Sequence, residues 1–132
     1  MYQLDQIQEL NRLIATHTPK EGLNVSRINN FGTYKASSTQ KRSPVIEEPT
    51  ILIPTQGQKY CYAGEKKHKI CAGNLFVSFF PMSVEGEIVE ASQEKPLLLA
   101  GIRLDLGKMA DLLLKIERLD NQMIEPTGPY LS

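Results

Sequence analysis

Cys61, Cys71, His17 and His68 are the side chains of this 132-residue chain best suited to metal or covalent chemistry. A catalytic divalent ion needs three or four ligands converging, usually imidazoles with a carboxylate, or thiolates in CxxC pairs. The chain has no CxxC and no HxH, and its two histidines lie far apart in sequence, so neither a metal site nor a cofactor is expected. Neither the cysteines nor the serines fall in a GxSxG or comparable nucleophile setting, so no catalytic residue is assigned. One juxtaposition stands out. Gly64-Glu65 separates two alternating runs and suits a two-residue hairpin turn, where glycine supplies the positive φ. That turn sets Ala63 against Lys66, and therefore Cys61 against His68. A three-residue loop at 65–67 would instead bring Cys61 opposite Cys71, so thiol oxidation tests the register. Two reduced thiols are the default for a cytosolic protein.

Alternation across this hairpin places Cys61, Ala63, His68 and Ile70 on one face, taken as inward, with Tyr60, Tyr62, Lys67 and Lys69 on the other. His68 then offers a polar contact to a small molecule inside the fold. Cys61, Tyr34, Phe79 and Arg103 are the residues that could join it, since ligand pockets are mostly apolar with a few orienting polar groups. An inward Arg103 would suit a carboxylate or phosphate. The plain alternative for each is core or surface packing.

These residues need a scaffold, and composition bounds it. The length fits one domain, and 41% hydrophobic residues exclude a disordered chain. Fifteen basic residues against fifteen acidic ones argue against a nucleic-acid grip, which needs a cationic surplus. No apolar run approaches the roughly 20 residues of a membrane span. No basic-then-apolar leader opens the sequence, so a cytoplasmic protein is expected.

Leu4, Ile7, Leu10, Leu13 and Ile14 recur at helical spacing, and Thr18-Pro19 and Gly22 stop that helix. Between residues 25 and 106, short extended runs alternate with turns: 28–36, 51–55, 58–63, 66–71, 75–80, 84–91 and 97–105. Residues 39–44 read as a polar loop, and Pro54 marks a strand edge or a bulge. Seven or eight short strands without intervening helices predict an antiparallel sandwich or barrel. Lys59, Lys66, Lys67 and Lys69 gather on the hairpin, while Glu85, Glu87, Glu90 and Glu94 gather on or just beyond a later strand. They read as two solvated faces. Met109, Leu112, Leu113, Ile116 and Leu119 form a final helical stripe, barely three turns long. It suits either core packing or an isologous homodimer contact, carried by Met109, Leu112, Leu113 and Ile116. The segment Glu125-Pro126-Thr127-Gly128-Pro129 then ends regular structure.

Read as one framework, several segments resemble the N-terminal domain of AraC-type bacterial transcriptional regulators. They are Ser43-Pro44-Val45-Ile46-Glu47-Glu48-Pro49, Gln56-Gly57-Gln58-Lys59, Gly64, Gly73, Gly86-Glu87-Ile88-Val89-Glu90-Ala91-Ser92, Pro96 and Leu104-Asp105. The match spans residues 23 to about 119. Met82-Ser83 stand where the family usually has Leu-Pro, and Ala72 stands where Pro often precedes Gly73. The resemblance implies a mainly β fold: a cupin-like double-stranded β-helix barrel with a short N-terminal helix and a C-terminal helix. It divides the chain into an N-terminal arm (1–20), a barrel (21–106), a helix (107–120) and a linker (121–132). That linker would lead to a helix-turn-helix half, the part that binds DNA, which this chain lacks. By the same resemblance the barrel senses a small-molecule effector or mediates dimerisation. The alternatives are a free-standing cupin-like binding module or a small non-metal cupin enzyme.

Overall fold

The computed structural model describes residues 4–79 and 82–122. The expected linker at 125–130 lies outside them. The first element, α1 (Leu4–Thr16), carries the predicted stripe. Ile14 is buried and Leu10 partly buried against Phe31, Ile53, Leu98 and Ala100. So α1 packs on its own domain, as an isolated helix this short must find tertiary support. Asn11 fixes its seat from the side. Its amide donates to Gln56 Oε1 at 3.0 Å, and its Oδ1 accepts from the Thr55 hydroxyl at 2.7 Å.

Nine strands follow among the described residues: β1 (Gly22–Val25), β2 (Phe31–Ala36), β3 (Gln40–Glu47), β4 (Thr50–Gln56), β5 (Gln58–Ala63), β6 (Lys66–Cys71), β7 (Phe76–Ser78), β8 (Met82–Glu90) and β9 (Leu97–Arg103). They form two antiparallel sheets, ordered β1-β2-β9-β4-β7 and β3-β8-β5-β6. The architecture is the expected cupin-like, mainly β one, open along its edges rather than closed into a continuous barrel.

Two strands depart from the sequence reading. β1 is a four-residue edge strand not anticipated as a strand at all. β3 occupies the stretch expected to be a loop, and its described side chains through residue 46 are exposed. It borders the second sheet and pairs only with β8. It therefore has no buried face to produce alternation, and Pro44 is tolerated on an edge. Pro54, by contrast, lies in an interior strand. The β4–β9 register shifts between Pro54 and Gln56, so the bulge reading is the one realised.

The core fills the space between the sheets. Ala36, Ile88, Leu97 and Leu99 form one cluster, and Cys61, Ile70 and Val84 a second, with Leu52 touching both. Leu97 is 0% exposed, and burying such a side chain contributes about 1.5–3 kcal/mol. The chain crosses between sheets at tight corners. At Gly57, between β4 and β5, φ is +80°, and a Cβ would lie 2.7 Å from both the Glu90 carbonyl oxygen and Leu97 Cα. Only glycine fits both the dihedral and the space.

The last element, α2 (Leu106–Gln122), has 17 residues, nearly five turns rather than three. Its described side chains, through Asp120, are exposed, including Met109, Leu112, Leu113, Ile116 and Leu119. Of the two uses considered for this stripe, core packing is therefore not realised among the described residues. Among the described residues no helix is long and apolar enough to cross a membrane.

Candidate functional site

The hairpin between β5 and β6 has the two-residue turn. Ala63 pairs with Lys66 and Cys61 with His68, and Gly64 has φ of +61°. Cys71 pairs with Gln58, and the two cysteines are not joined by a disulfide. His68 is half-buried, its ring edge-on to Phe76 at 5.6 Å between centroids. Cys61 is buried in the cluster with Ile70 and Val84. Cys61 thus belongs to packed core, with half-buried His68 opposite it against Phe76.

The cavity lies elsewhere in the inter-sheet space, at the end where β9 finishes. It has a volume of about 380 Å³, within the range of small-molecule pockets. Its origin is legible in the ladder. Gly32 and Gly101 are direct partners across β2 and β9, and Gly101 also pairs with Leu52 on β4. Two missing side chains at one level of the sheet leave room that Leu52 and Leu99 only partly fill. Tyr34, two pairs further along opposite Leu99 and so on the same face, walls one side, and Thr50 and Arg103, themselves partners, close the end. Leu23 and Val25 of β1 rim the opening at 65% and 82% exposure.

Of the five residues expected at an effector site, the structure brings Tyr34 and Arg103 together on this cavity. His68 and Cys61 do not line it, and Phe79, 53% exposed just past β7, does not either. Sequence reasoning missed Lys59, which lines the cavity from the second sheet. Its nearness in sequence to the outward hairpin lysines hides it. Strand parity puts it instead on the face of Cys61 and Ala63, and its partners Ile70 and Ile88 are both buried.

The outer face of the second sheet is also more ordered than two separate charge patches. Tyr60 pairs with Glu87 and Tyr62 with Glu85 on the β5–β8 ladder. Arg42 lies over the Tyr62 ring at 3.7 Å and pairs with Glu85 at 2.6 Å. Lys67 lies over Tyr60 at 4.0 Å. The Tyr62 hydroxyl donates to Glu87 at 2.6 Å, and this hydrogen bond holds its phenol above the usual tyrosine range. Basic and acidic residues interleave on one aromatic-lined face. Among the described residues no three His, Cys, Asp or Glu side chains come together as a metal cluster would require.

An open two-sheet cupin-like domain, with a ligand-sized cavity and a solvent-exposed apolar helix at its exit, defines the class. The sequence signature of the AraC-type transcriptional regulator N-terminus matches residues 25–130, and the chain belongs to that family. The search of curated proteins gives no match. Among solved structures, the chain is similar to a cupin-2 domain containing protein from Shewanella frigidimarina, with 12% identity and a TM-score of 0.49. That match covers 73% of this chain and 92% of the other. It is also similar to a protein from Neisseria meningitidis, with 16% identity and a TM-score of 0.49, covering 73% and 96%.

Proposed function

We propose that this domain senses a small-molecule effector in the inter-sheet cavity and dimerises through α2, passing the effector's presence to a DNA-binding half of an AraC-type regulator. One observation carries the reading. Arg103 lines the cavity and lies three residues before Leu106, where α2 begins. Its backbone N–H donates to the Asn30 carbonyl at 2.7 Å, and that of Leu104 donates to the Pro49 carbonyl at 2.9 Å. An occupant that moves Arg103 or Asn30 therefore acts on the root of the helix directly. The bias it exerts equals its difference in affinity between the helix arrangements and no more.

Fusing the chain to a DNA-binding module that represses a reporter only as a dimer tests this. Repression is expected from the parent fusion. It should be lost on Leu113→Glu and changed in its response to small molecules by Gly101→Leu, which fills the cavity. Repression indifferent to both substitutions would sink the reading.

A further inference from the structure

The cavity's walls and its charges do not match each other. Leu52, Leu99, Leu23 and Val25 make the walls apolar, yet Lys59 enters from one sheet and Arg103 from the other. Among the described residues that line it there is no aspartate or glutamate. Among the described residues neither cation's side chain forms an ion pair or a hydrogen bond, whereas Arg42 and Lys67 on the outer face are both engaged. Two like charges at one opening repel, and half-buried Lys59 also loses hydration there without a counter-charge, while Arg103 stands exposed at the mouth. An anion relieves both costs at once. Guanidinium and ammonium are also the groups best matched to a carboxylate or phosphate. Polar groups that could bracket a sugar or another polyhydroxylated ligand are few, chiefly Tyr34, Thr50 and Asn30.

We propose that the cavity takes an anionic amphipathic small molecule, a carboxylate or phosphate on an apolar body. The anion lies between Lys59 and Arg103, and the body covers Leu52, Leu99 and the exposed rim of Leu23 and Val25. This rests on reading the cavity as the effector site and adds the ligand's chemical class.

The test uses the purified chain with octanoate, octyl phosphate, octan-1-ol, octylamine and inorganic phosphate, read by calorimetry and by the rise in melting temperature that binding must cause. Octanoate or octyl phosphate is expected to bind about tenfold or more tightly than octan-1-ol, the range one charge-assisted contact supplies. The better of the two anions identifies the head group. Octylamine should be excluded, and inorganic phosphate alone should bind far more weakly than octyl phosphate. Lys59→Met and Arg103→Met should each remove about tenfold of the anion's affinity while sparing the alcohol's. Melting of the unliganded variants shows that they remain folded.

Failure of both anions to bind overturns the proposal, as does unchanged affinity in both methionine variants. Equal binding of alcohol and octanoate, lost together in Gly101→Leu, overturns the anion class but leaves the cavity as an effector site. Tight anion binding that leaves the dimer and the reporter unaltered would instead uphold the ligand class and sink the sensing role.

Discussion

Tyr62 and Glu87 are joined across the β5–β8 ladder by a 2.6 Å hydrogen bond in which the phenol donates to the carboxylate. The bond exists only while the phenol keeps its proton, so it raises the Tyr62 pKa above its ordinary value near 10. A group whose pKa is raised by folding stabilises the fold fully below its unfolded pKa and loses that contribution as pH climbs through the folded one. Spectrophotometric titration should therefore show one of the five tyrosines ionising late, and Glu87→Gln should remove the delay. The stability gap between the parent and Tyr62→Phe should be widest below about pH 10 and shrink above it. A gap constant across that range would show that the hydrogen bond is not formed in solution.

The two thiols should differ in kind. Cys61 is 1% exposed and opposite His68, while Cys71 is partly exposed and opposite Gln58. A colourless disulfide reagent should label Cys71 in the native protein and Cys61 only at the rate of opening or unfolding. An oxidant should not join them within one chain. An intramolecular disulfide on peptide mapping would mean that the hairpin has the three-residue loop after all.

Gly57 and Gly64 both have positive φ, but only Gly57 lacks space. Gly64→Ala should cost about 1 kcal/mol from backbone strain alone. Gly57→Ala adds a clash with backbone at Glu90 and Leu97, so it should cost about 3 kcal/mol or more, or prevent folding. Urea denaturation of the pair measures the difference. Equal losses would show that the β4–β5 corner can relax.

Charge on α2 should act on association and not on the fold. Leu113→Glu with Ile116→Glu places two carboxylates on a helix face that is exposed at both positions. Exposed substitutions of this kind shift domain stability by no more than about 0.5 kcal/mol. Sedimentation should show at least about a hundredfold loss of dimer, the scale of a disrupted interface centre. A parent chain that stays monomeric at high concentration would exclude this helix as a dimer contact.

How much of this the sequence reveals follows from what each element buries. The β5–β6 register is readable because a two-residue turn and an alternating face both constrain it. β3 is not, because an exposed edge strand shows no inward-outward alternation, and its apolar Val45 and Ile46 are adjacent and both exposed. The stripe on α2 is plain in sequence, but the same spacing serves a core or a partner, so exposure alone distinguishes them. The cavity was hardest. It arises from Gly32 and Gly101 meeting across two strands about seventy residues apart in sequence, and a pair of absences leaves no local signature. Lys59 could have been assigned inward by counting from Cys61, had its neighbours' charge not suggested a shared surface.

The corners have a mechanical consequence. One glycine joins the sheets at Gly57, and two residues, Glu48 and Pro49, join them near the opposite end, where Thr50 pairs with Arg103. A frame braced at both ends cannot open like a clam. The least braced parts around the cavity are the border strand β1 and α2, which is tethered through Leu104 to Pro49. On the proposed reading, occupancy would be reported as a change in the bearing of one rod, with the walls left standing.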